Sequence, residues 1–331
     1  MELAPLTTLR LGGPAGSFVE ARSEAELVAE ARDAALVLAG GSNVVIADEG
    51  VPGKVVRVAT RGVARSGERL AVAAGEDWDA LVALCVTEGL QGFECLSGIP
   101  GSVGATPIQN VGAYGQEVSE TVESVRVFDR ETGVVEDMPA ADCGFVYRGS
   151  VFKYHDRRVV LSVTFRLRSS AVSGPLRYAE LARVLDVPVG GSAPLADVRE
   201  AVLSLRRGKG MVIDPADPDS VSAGSFFTNP ILEHPEFDAL AARAGLQPPA
   251  WPEPDGRIKT SAAWLIERAG FQKGYGSGRV GISTKHTLAL VNRGGASTTE
   301  LLSLAHEIAA GVSDRFGVAL HPEPVLVGHT W

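Results

Sequence analysis

One glycine-rich stretch reads Gly98-Ile99-Pro100-Gly101-Ser102-Val103-Gly104-Ala105, followed after three residues by Gln109-Asn110-Val111-Gly112-Ala113-Tyr114-Gly115. Small residues let a backbone approach a ligand closely, and the side chains at positions 109, 110 and 114 could supply polar contacts to a ring or a phosphate. A packed irregular loop is the alternative, but two neighbouring glycine clusters lose more conformational entropy on folding than a loop requires. The segment therefore predicts a fold built around a bound ligand.

A second glycine loop, Ala39-Gly40-Gly41-Ser42-Asn43, lies upstream between two apolar, strand-like stretches. Adjacent glycines can adopt positive φ, so that consecutive N–H groups converge on an anion such as a pyrophosphate. A tight turn between strands explains the same pattern equally well. Taken alone, this loop leaves both interpretations open.

Composition narrows the class of protein. Glycine supplies 38 of 331 residues, about 11% against an average near 7%. The chain is 45% hydrophobic and 21% charged, enough to form the cores of two or three domains. The net charge of −9 and the lack of a dense basic run argue against nucleic acid as a partner. An anionic substrate must therefore be met by local cations and backbone N–H groups.

Cysteine usage and the N-terminus indicate a cytoplasmic protein. Cys85, Cys95 and Cys143 are odd in number and widely spaced, so we expect reduced thiols and no metal site. The first residues lack the basic and apolar regions of a secretion signal. No apolar run approaches the ~18 residues needed to span a bilayer, so membrane insertion is not expected.

Apolar periodicity and helix-capping residues predict a mixed α+β fold. Ser23-Glu24-Ala25-Glu26 and Ser297-Thr298-Thr299-Glu300 are capping boxes, and the second precedes an apolar helical stripe. Further helices are expected over residues 77–88, 180–185, 195–205 and 261–269. Strands are expected over residues 36–38, 54–58, 70–74, 122–129, 145–147 and 159–167.

Six segments resemble, in order, the signatures of the UDP-N-acetylenolpyruvoylglucosamine reductases, and the first of them begins at residue 8. The segments are Thr8-Leu9-Arg10-Leu11-Gly12-Gly13, Gly40-Gly41-Ser42-Asn43, the glycine-rich residues 98–115, Tyr147-Arg148-Gly149-Ser150, Ala223-Gly224-Ser225-Phe226-Phe227 and Pro322-Glu323, and the resemblance around them continues to residue 328. One such match is weak, whereas six in the family's order are specific. The resemblance implies the vanillyl-alcohol-oxidase-like FAD-binding fold of two subdomains, followed by a C-terminal α+β substrate-binding domain.

The domain limits expected on this basis are continuous in sequence. Residues 1–65 form the first FAD-binding subdomain, residues 66–213 the second, and residues 214–318 the substrate-binding domain. Residues 319–331 return to the active site. Turn-forming residues at 215–220 favour a boundary there.

The resemblance also implies the reaction. NADPH reduces a non-covalently bound FAD and departs. The nucleotide sugar UDP-N-acetylglucosamine enolpyruvate then takes a hydride from flavin N5 and a proton at the adjacent carbon, which gives UDP-N-acetylmuramate for peptidoglycan synthesis. The expected partners are therefore two small molecules, the nucleotide sugar and NADPH.

Three residues match the family's catalytic positions. Hydride addition to an enol ether conjugated to a carboxylate leaves an enolate-like dianion, which requires a cation and an acid nearby. Arg148 matches that cation, Glu323 the acid, and Ser225 the proton donor. A serine hydroxyl is a poor acid in water, so its surroundings must stabilise the alkoxide. On the residues alone, a helix-cap or turn serine is the favoured interpretation of Ser225.

The resemblance places flavin and substrate contacts as well. The flavin contacts are Gly40, Gly41, Ser42, Asn43, Gly98, Ile99, Pro100, Gly101, Ser102, Gln109, Asn110, Gly112, Ala113 and Tyr114. The substrate contacts are Tyr147, Tyr178, Lys209 and Asn229. Core packing is the alternative for Tyr178, and solvation is the alternative for Lys209. The chain departs from the family pattern at Ala39, often glycine, and at His321-Pro322-Glu323-Pro324.

Three competing interpretations follow from other features. Gly276-Ser277-Gly278-Arg279-Val280-Gly281 matches the dinucleotide fingerprint, but a helix is expected before it and a strand after it, the reverse of what the motif needs. A loop over a ligand is the expected role. A related oxidase with covalent FAD is disfavoured because no His lies between residues 1 and 154. A silent nucleotide-binding sensor is disfavoured by the intact catalytic candidates.

Overall fold

The computed structural model describes all 331 residues. Its helices are α1 (Glu24–Ala31), α2 (Trp78–Thr87), α3 (Ala179–Val184), α4 (Leu195–Gly208), α5 (His234–Ala244), α6 (Ala262–Arg268) and α7 (Thr298–Phe316). Its strands are β1 (Ala15–Ala21), β2 (Leu36–Leu38), β3 (Val44–Ile46), β4 (Val51–Val58), β5 (Val63–Ser66), β6 (Arg69–Ala73), β7 (Leu90–Gln91), β8 (Gly112–Ala113), β9 (Gln116–Glu117), β10 (Val122–Asp129), β11 (Val135–Pro139), β12 (Arg158–Arg166), β13 (Arg168–Ser169), β14 (Ser222–Ser225), β15 (Ile231–Leu232), β16 (Trp251–Pro252), β17 (Ile258–Lys259), β18 (Val280–Ile282), β19 (Ala289–Asn292) and β20 (Val325–Val327).

The chain divides into two compact units that are discontinuous in sequence. The first contains Met1 with residues 15–41 and 51–208, and the second contains residues 2–14, 42–50 and 209–331. Two short N-terminal segments therefore belong to the same unit as the C-terminal third of the chain, whereas the limits drawn from sequence are continuous.

The first unit has two main sheets and one shared core. Strands β1, β4 and β2 form a parallel sheet, in the order β1-β4-β2, and α1 packs on it. An antiparallel sheet has the order β11-β10-β12-β6-β5. Leu27 of α1, Trp78 of α2 and Phe165 of β12 are all buried in a single hydrophobic cluster. The two sheets are therefore held together by common apolar packing.

The second unit is built around the long helix α7. Its buried stripe packs in one cluster with residues of α5, α6, β18 and β19. The antiparallel sheet β14-β19-β18 carries the strand that ends at Ser225. Strands β3 and β20 pair in parallel, so residues separated by about 280 positions in sequence become neighbours.

The capping signals in the sequence are confirmed for α7 and in part for α1. Ser297 and Glu300 form the reciprocal capping box of α7. At the start of α1, Ser23 accepts a hydrogen bond from the N–H of Glu26, but the Glu26 carboxylate accepts from the N–H of Arg22 and not from Ser23, so only half of the predicted box forms. The stripe along α7 is buried as expected, comprising Leu301, Leu304, Ala305, Ile308 and Val312. None of the seven helices combines the length and apolar composition that crossing a bilayer requires.

One expected strand is wrong. Residues 145–147 do not join a sheet, because Val146 and Gly149 instead exchange two backbone hydrogen bonds of 3.1 Å each. These bonds close a tight turn with Tyr147 and Arg148 at its tip. An apolar run of three residues forms a strand only where a neighbouring strand offers a ladder, and none does here.

Candidate active site

Two glycine segments of the first unit touch each other through their backbones. A Cβ atom on Gly40 would lie 2.6 Å from Cα of Gly101 and 3.1 Å from the nitrogen of Ser102. Gly101 has a φ of 126°, which residues with a side chain rarely adopt. Glycine is therefore required on both sides of this contact, and the two loops predicted to bind a nucleotide form one surface.

Polar groups at this surface lack partners within the chain. The N–H groups of Gly40 and Gly41 donate no hydrogen bond, and the buried Ser102 hydroxyl has no partner either. Buried polar groups in native proteins are nearly always satisfied, so an orphaned hydroxyl points to a ligand. Backbone N–H groups and a hydroxyl are suitable donors to the phosphate oxygens of a dinucleotide such as FAD. The residues present therefore fit that cofactor.

An ion pair anchors the glycine-rich segment to two helices. Asp79 of α2 accepts a hydrogen bond from the N–H of Gly98 at 2.6 Å, and Arg199 of α4 binds both of its carboxylate oxygens at 2.6 and 2.9 Å. Burial raises the pKa of Asp79, but the bonds from Arg199 and Gly98 outweigh burial and leave the pKa below its usual value. The carboxylate thus stays charged at neutral pH and holds Gly98 in place. Neither Asp79 nor Arg199 lies in a recognised motif, so this ion pair is not predictable from the sequence.

The other predicted flavin residues lie in the glycine-rich segment after Gly98 and in the loop at residues 39–43. Ile99 and Pro100 follow Gly98, and Ile99 packs against the core of the first unit. Gly112 and Ala113 form β8, and Gln109 is half-buried. Ser42 and Asn43 belong to the second unit, so the chain passes from the first unit to the second within the loop at residues 39–43.

The Asn110 amide binds the protein itself. Its Nδ2 donates to Glu117 Oε2 at 2.8 Å and to the Val146 carbonyl at 3.2 Å, while its Oδ1 accepts from the N–H of Ser119 at 3.2 Å. The residue is almost fully buried and has a φ of 45°. Asn110 therefore shapes the loop and ties it to the turn at 146–149, a role that the sequence did not indicate.

Arg148 lies at the tip of that turn with a φ of 53°. One guanidinium nitrogen, Nη2, donates to the Gly112 carbonyl at 2.8 Å, and the group lies 5.3 Å from the centre of the Tyr147 ring. A Cβ on Gly112 would come within 3.1 Å of Arg148 Nη1, so the glycine leaves room for the cation. The structure thus brings three predicted residues, Gly112, Tyr147 and Arg148, into contact.

Tyr178 precedes α3 in the first unit. It is 41% exposed, which argues against the alternative of core packing. Its ring meets the ring of Tyr114 edge-on, with centroids 5.3 Å apart. A predicted substrate residue and a predicted cofactor residue are therefore direct neighbours.

Ser225 ends β14 in the second unit. Gly224 before it has a φ of 74°, and the pairing of β14 with β19 is irregular between Ser222 and Ser225. Ser225 is partly exposed, and its hydroxyl makes no hydrogen bond within the chain. The bulge therefore presents a hydroxyl that is free to meet a ligand.

Glu323 lies beside Ser225 through main-chain pairing. Its N–H donates to the Phe226 carbonyl at 2.8 Å, and Phe227 forms a bridge with Pro322. Asn43 binds the same segment, since its Nδ2 donates to the Glu323 carbonyl at 3.4 Å and its carbonyl accepts from the N–H of Val325 at 3.0 Å. The proline-rich sequence around Glu323 is compatible with this pairing, because Pro322 and Pro324 leave the N–H of Glu323 available.

The two remaining substrate candidates also belong to the second unit. Asn229 Oδ1 accepts a hydrogen bond from the N–H of Ala262 at 3.0 Å, so that oxygen caps α6. Lys209 is half-buried, directly after α4. Arg148 and Tyr178, in contrast, belong to the first unit.

The order of helix and strand around the glycine fingerprint at 276–281 is the reverse of that in a Rossmann motif, as the sequence predicts. Helix α6 precedes the fingerprint and β18 overlaps its end. The Gly276 carbonyl accepts a hydrogen bond from Arg293, so the segment is a loop tied to the adjacent strand end. The prediction that this segment is not a Rossmann motif is confirmed.

Comparisons with known proteins agree with these features. A family model described as UDP-N-acetylenolpyruvoylglucosamine reductase, C-terminal domain, matches residues 215–327, and an FAD binding domain model matches residues 15–138. A UDP-N-acetylenolpyruvoylglucosamine reductase from Thermobifida fusca is 58% identical, with 99% of this chain and 97% of that protein covered. One from a Mycobacterium species is 50% identical, with 99% and 95% covered.

A solved structure extends this likeness to three dimensions. The UDP-N-acetylenolpyruvylglucosamine reductase of Thermus caldophilus has a TM-score of 0.70 at 27% identity, with 99% of this chain and 97% of that chain covered. Together with the FAD-binding match, it confirms the α+β, vanillyl-alcohol-oxidase-like FAD-binding fold.

Proposed function

The chain belongs to the UDP-N-acetylenolpyruvoylglucosamine reductases, and we propose that Arg148, Ser225 and Glu323 carry out the second half of its reaction. The protein is an FAD-dependent oxidoreductase that uses NADPH to reduce UDP-N-acetylglucosamine enolpyruvate to UDP-N-acetylmuramate, a peptidoglycan precursor. The observation that carries the proposal is the bulge at Ser225, where an unbonded hydroxyl stands beside the backbone-paired Glu323.

The glycine surface would hold the cofactor. Gly40, Gly41 and Gly101 would meet the FAD pyrophosphate with backbone N–H groups, and Ser102 with its hydroxyl. When bound, FAD supplies the hydride that the substrate accepts at its terminal methylene carbon. Asp79 and Arg199 would act on this surface indirectly, because they hold Gly98.

Arg148 would stabilise the negative charge that develops on the substrate carboxylate. A guanidinium group is always protonated and offers paired donors that match a carboxylate. Its bond to Gly112 uses one donor, and the group has five in all. A fixed cation of this kind contributes most where charge develops during the reaction.

Ser225 would donate the proton to the carbon next to the carboxylate. The Oγ–H bond breaks as the new C–H bond forms, and the alkoxide left behind takes a proton from solvent. Glu323 would be the acid that donates a hydrogen bond to the substrate. The backbone bond from Glu323 to Phe226 and the bridge between Phe227 and Pro322 hold the two segments together, and proton transfer requires a fixed distance.

Tyr178, Tyr147, Lys209 and Asn229 would bind the nucleotide-sugar part of the substrate. The exposure of Tyr178 supports this role, and the remaining amide nitrogen of Asn229 could serve a ligand while its oxygen caps α6. We infer a cytoplasmic location, which the three free, buried cysteines support, since a reducing compartment keeps thiols unpaired. NADPH and the nucleotide sugar remain the proposed partners, without nucleic acid or membrane.

Ser225→Ala tests the proposal. The variant should keep flavin reduction by NADPH within a few-fold of wild type, because it removes only a hydroxyl. Reoxidation of the flavin by the enolpyruvyl substrate should slow by ~10²–10⁴-fold, the usual cost of losing a positioned general acid. Ser225→Cys should recover part of this rate, because a thiol is the stronger acid. Stopped-flow absorbance measures both half-reactions.

Ser313→Ala is the matched control, since Ser313 is an exposed serine on α7 of the same unit. It should leave both half-reactions unchanged. Reoxidation of Ser225→Ala at the wild-type rate, or an equal loss in both half-reactions, would remove Ser225 as the proton donor and make Glu323 the next residue to test.

A further inference from the structure

Lys153 is buried beside Arg148, and neither the sequence motifs nor the proposed mechanism uses it. Only 6% of the residue is exposed, and lysine is rarely buried unless its ammonium group has partners. Its Nζ donates to the main-chain carbonyl of Arg148 at 3.0 Å and lies 5.0 Å from the centre of the Tyr154 ring. A buried cation thus binds the backbone of a proposed catalytic residue.

We infer that Lys153 is a positioning residue, which holds the Arg148 backbone so that the guanidinium group keeps one orientation in the reaction. The inference rests on the function proposed for Arg148. In this role Lys153 acts on the reaction through the Arg148 main chain, to which its ammonium group donates.

The backbone of Arg148 needs such support. Its φ of 53° lies in a region that residues with a side chain seldom occupy, and such conformations persist only where surrounding contacts fix them. Hydrogen bonds between Val146 and Gly149 close the turn on either side of Arg148 but do not bind its own carbonyl. The bond from Lys153 fixes that carbonyl, and with it the peptide plane between Arg148 and Gly149.

Further contacts anchor the ends of the turn. Asn110 donates to the Val146 carbonyl before the tip, and the Ser150 hydroxyl donates to the Ile108 carbonyl at 2.7 Å after it. Lys153 binds the main chain at the tip, where it contacts the Arg148 carbonyl. Its removal should therefore leave the turn attached to the protein while allowing the Arg148 peptide to rotate.

Lys153→Met tests this inference, because methionine keeps most of the apolar stem and removes the donor. Reoxidation of the flavin by the enolpyruvyl substrate should slow by roughly 10–100-fold, as expected for a misplaced catalytic group. Affinity for the product UDP-N-acetylmuramate, measured by calorimetry, should fall as well. Flavin reduction by NADPH and the melting temperature should change little. Lys153→Arg should restore part of the lost rate, because a guanidinium group can donate to the same carbonyl.

Lys54→Met is the matched control. Lys54 also belongs to the first unit and forms ion pairs with Glu30 and Asp33. It should lose a cation without affecting either half-reaction. If Lys153→Met does not fold, Lys153→Gln offers the same comparison, since its shorter side chain leaves the carbonyl out of reach.

A double-mutant cycle with Arg148→Ala separates this inference from the proposed function. If Lys153 acts through Arg148, adding Lys153→Met to Arg148→Ala should slow reoxidation no further. If Lys153→Met slows reoxidation by the same factor in the Arg148→Ala background as in the wild type, the positioning role is overturned while the function of Arg148 stands. A wild-type reoxidation rate for Lys153→Met alone would have the same consequence. A wild-type rate for Arg148→Ala would overturn the proposed function and the positioning role together.

Discussion

Arg148 and Asn110 hold positive φ angles of 53° and 45°, although neither is glycine. Conformations of this kind cost ~1–3 kcal/mol each and cluster where function requires an unusual side-chain direction. Both residues are stabilised by specific bonds, Arg148 by Lys153 and Asn110 by Glu117 and Ser119. At the residue scale, the site therefore depends on backbone conformation as much as on side-chain chemistry.

Gly40→Ala should release FAD. The added methyl group would lie 2.6 Å from Cα of Gly101, a backbone atom that cannot move aside as a side chain can. The two loops must separate, so we expect the flavin content after purification to fall and the dissociation constant for FAD to rise at least ~10-fold, about 1.4 kcal/mol. Visible absorbance relative to protein absorbance measures the content.

Gly278→Ala is the control for Gly40→Ala, because a Cβ at Gly278 would meet nothing within 4 Å. Full flavin content in Gly40→Ala would show that the contact between residues 40 and 101 is not part of the cofactor site.

Secondary-structure elements place the catalytic candidates in pairs. The bridge between Phe227 and Pro322 brings Glu323 beside the end of β14, and the pairing of β3 with β20 places Asn43 on the same segment. The turn at 146–149 does the equivalent for Arg148 and Gly112. Strand pairing, the bridge and the turn thus hold residues that are distant in sequence at fixed distances from one another.

Tyr178→Phe should weaken substrate binding. The variant keeps the ring contact with Tyr114 and the start of α3 but removes the hydroxyl proposed to meet the substrate diphosphate. We expect the Michaelis constant for the nucleotide sugar to rise ~10-fold, in line with the loss of one hydrogen bond to a charged group. Flavin reduction by NADPH should stay unchanged, and steady-state and stopped-flow kinetics measure the two effects.

Tyr275→Phe is the control for Tyr178→Phe, because it also removes a tyrosine hydroxyl. The Tyr275 hydroxyl binds Glu307 Oε1 at 2.5 Å in the second unit, so its loss should not affect substrate kinetics. Equal losses of Tyr178→Phe in both half-reactions would indicate a structural role for Tyr178.

The whole molecule sets the chemical state of its reactive groups. Burial raises the pKa of Cys85 and of Cys95 to about 12, and that of Cys143 to about 11. The thiolate is the reactive form, so all three remain protonated and inert near neutral pH. The net charge of −9 likewise leaves the binding of anionic ligands to local groups such as Arg148 and the glycine loops.

FAD should therefore be bound without a covalent link. Acid precipitation should release all of the flavin into the supernatant, and a thiol reagent at pH 8 should label the native protein far more slowly than the unfolded one. Because the folded pKa values lie well above pH 8, the thiolate fraction is small until strongly alkaline pH. Flavin that stays with the precipitate, or rapid labelling of the native protein, would contradict this prediction.

The family, the cofactor and the helices are predictable from the amino-acid order, because they depend on local signals. Glycine clusters, capping boxes and the order of six motifs are readable in a linear chain. The two glycine loops around Gly40 and Gly101 were recognised as candidates in this way, and the structure places them in contact. The catalytic roles of Ser225, Arg148 and Glu323 stay predictions until the variants are measured.

The contacts that hold these residues depend on the folded chain. Residues 145–147, which lead into the turn at Arg148, have the pattern of a strand, because the pattern does not reveal that no neighbouring strand is present. Three hydrogen bonds could also not be predicted from the sequence, namely those from Lys153 to Arg148, from Arg199 to Asp79 and from Asn43 to Glu323. Their partners are set by packing between distant segments, and a local pattern carries no information about which distant residue a side chain will meet.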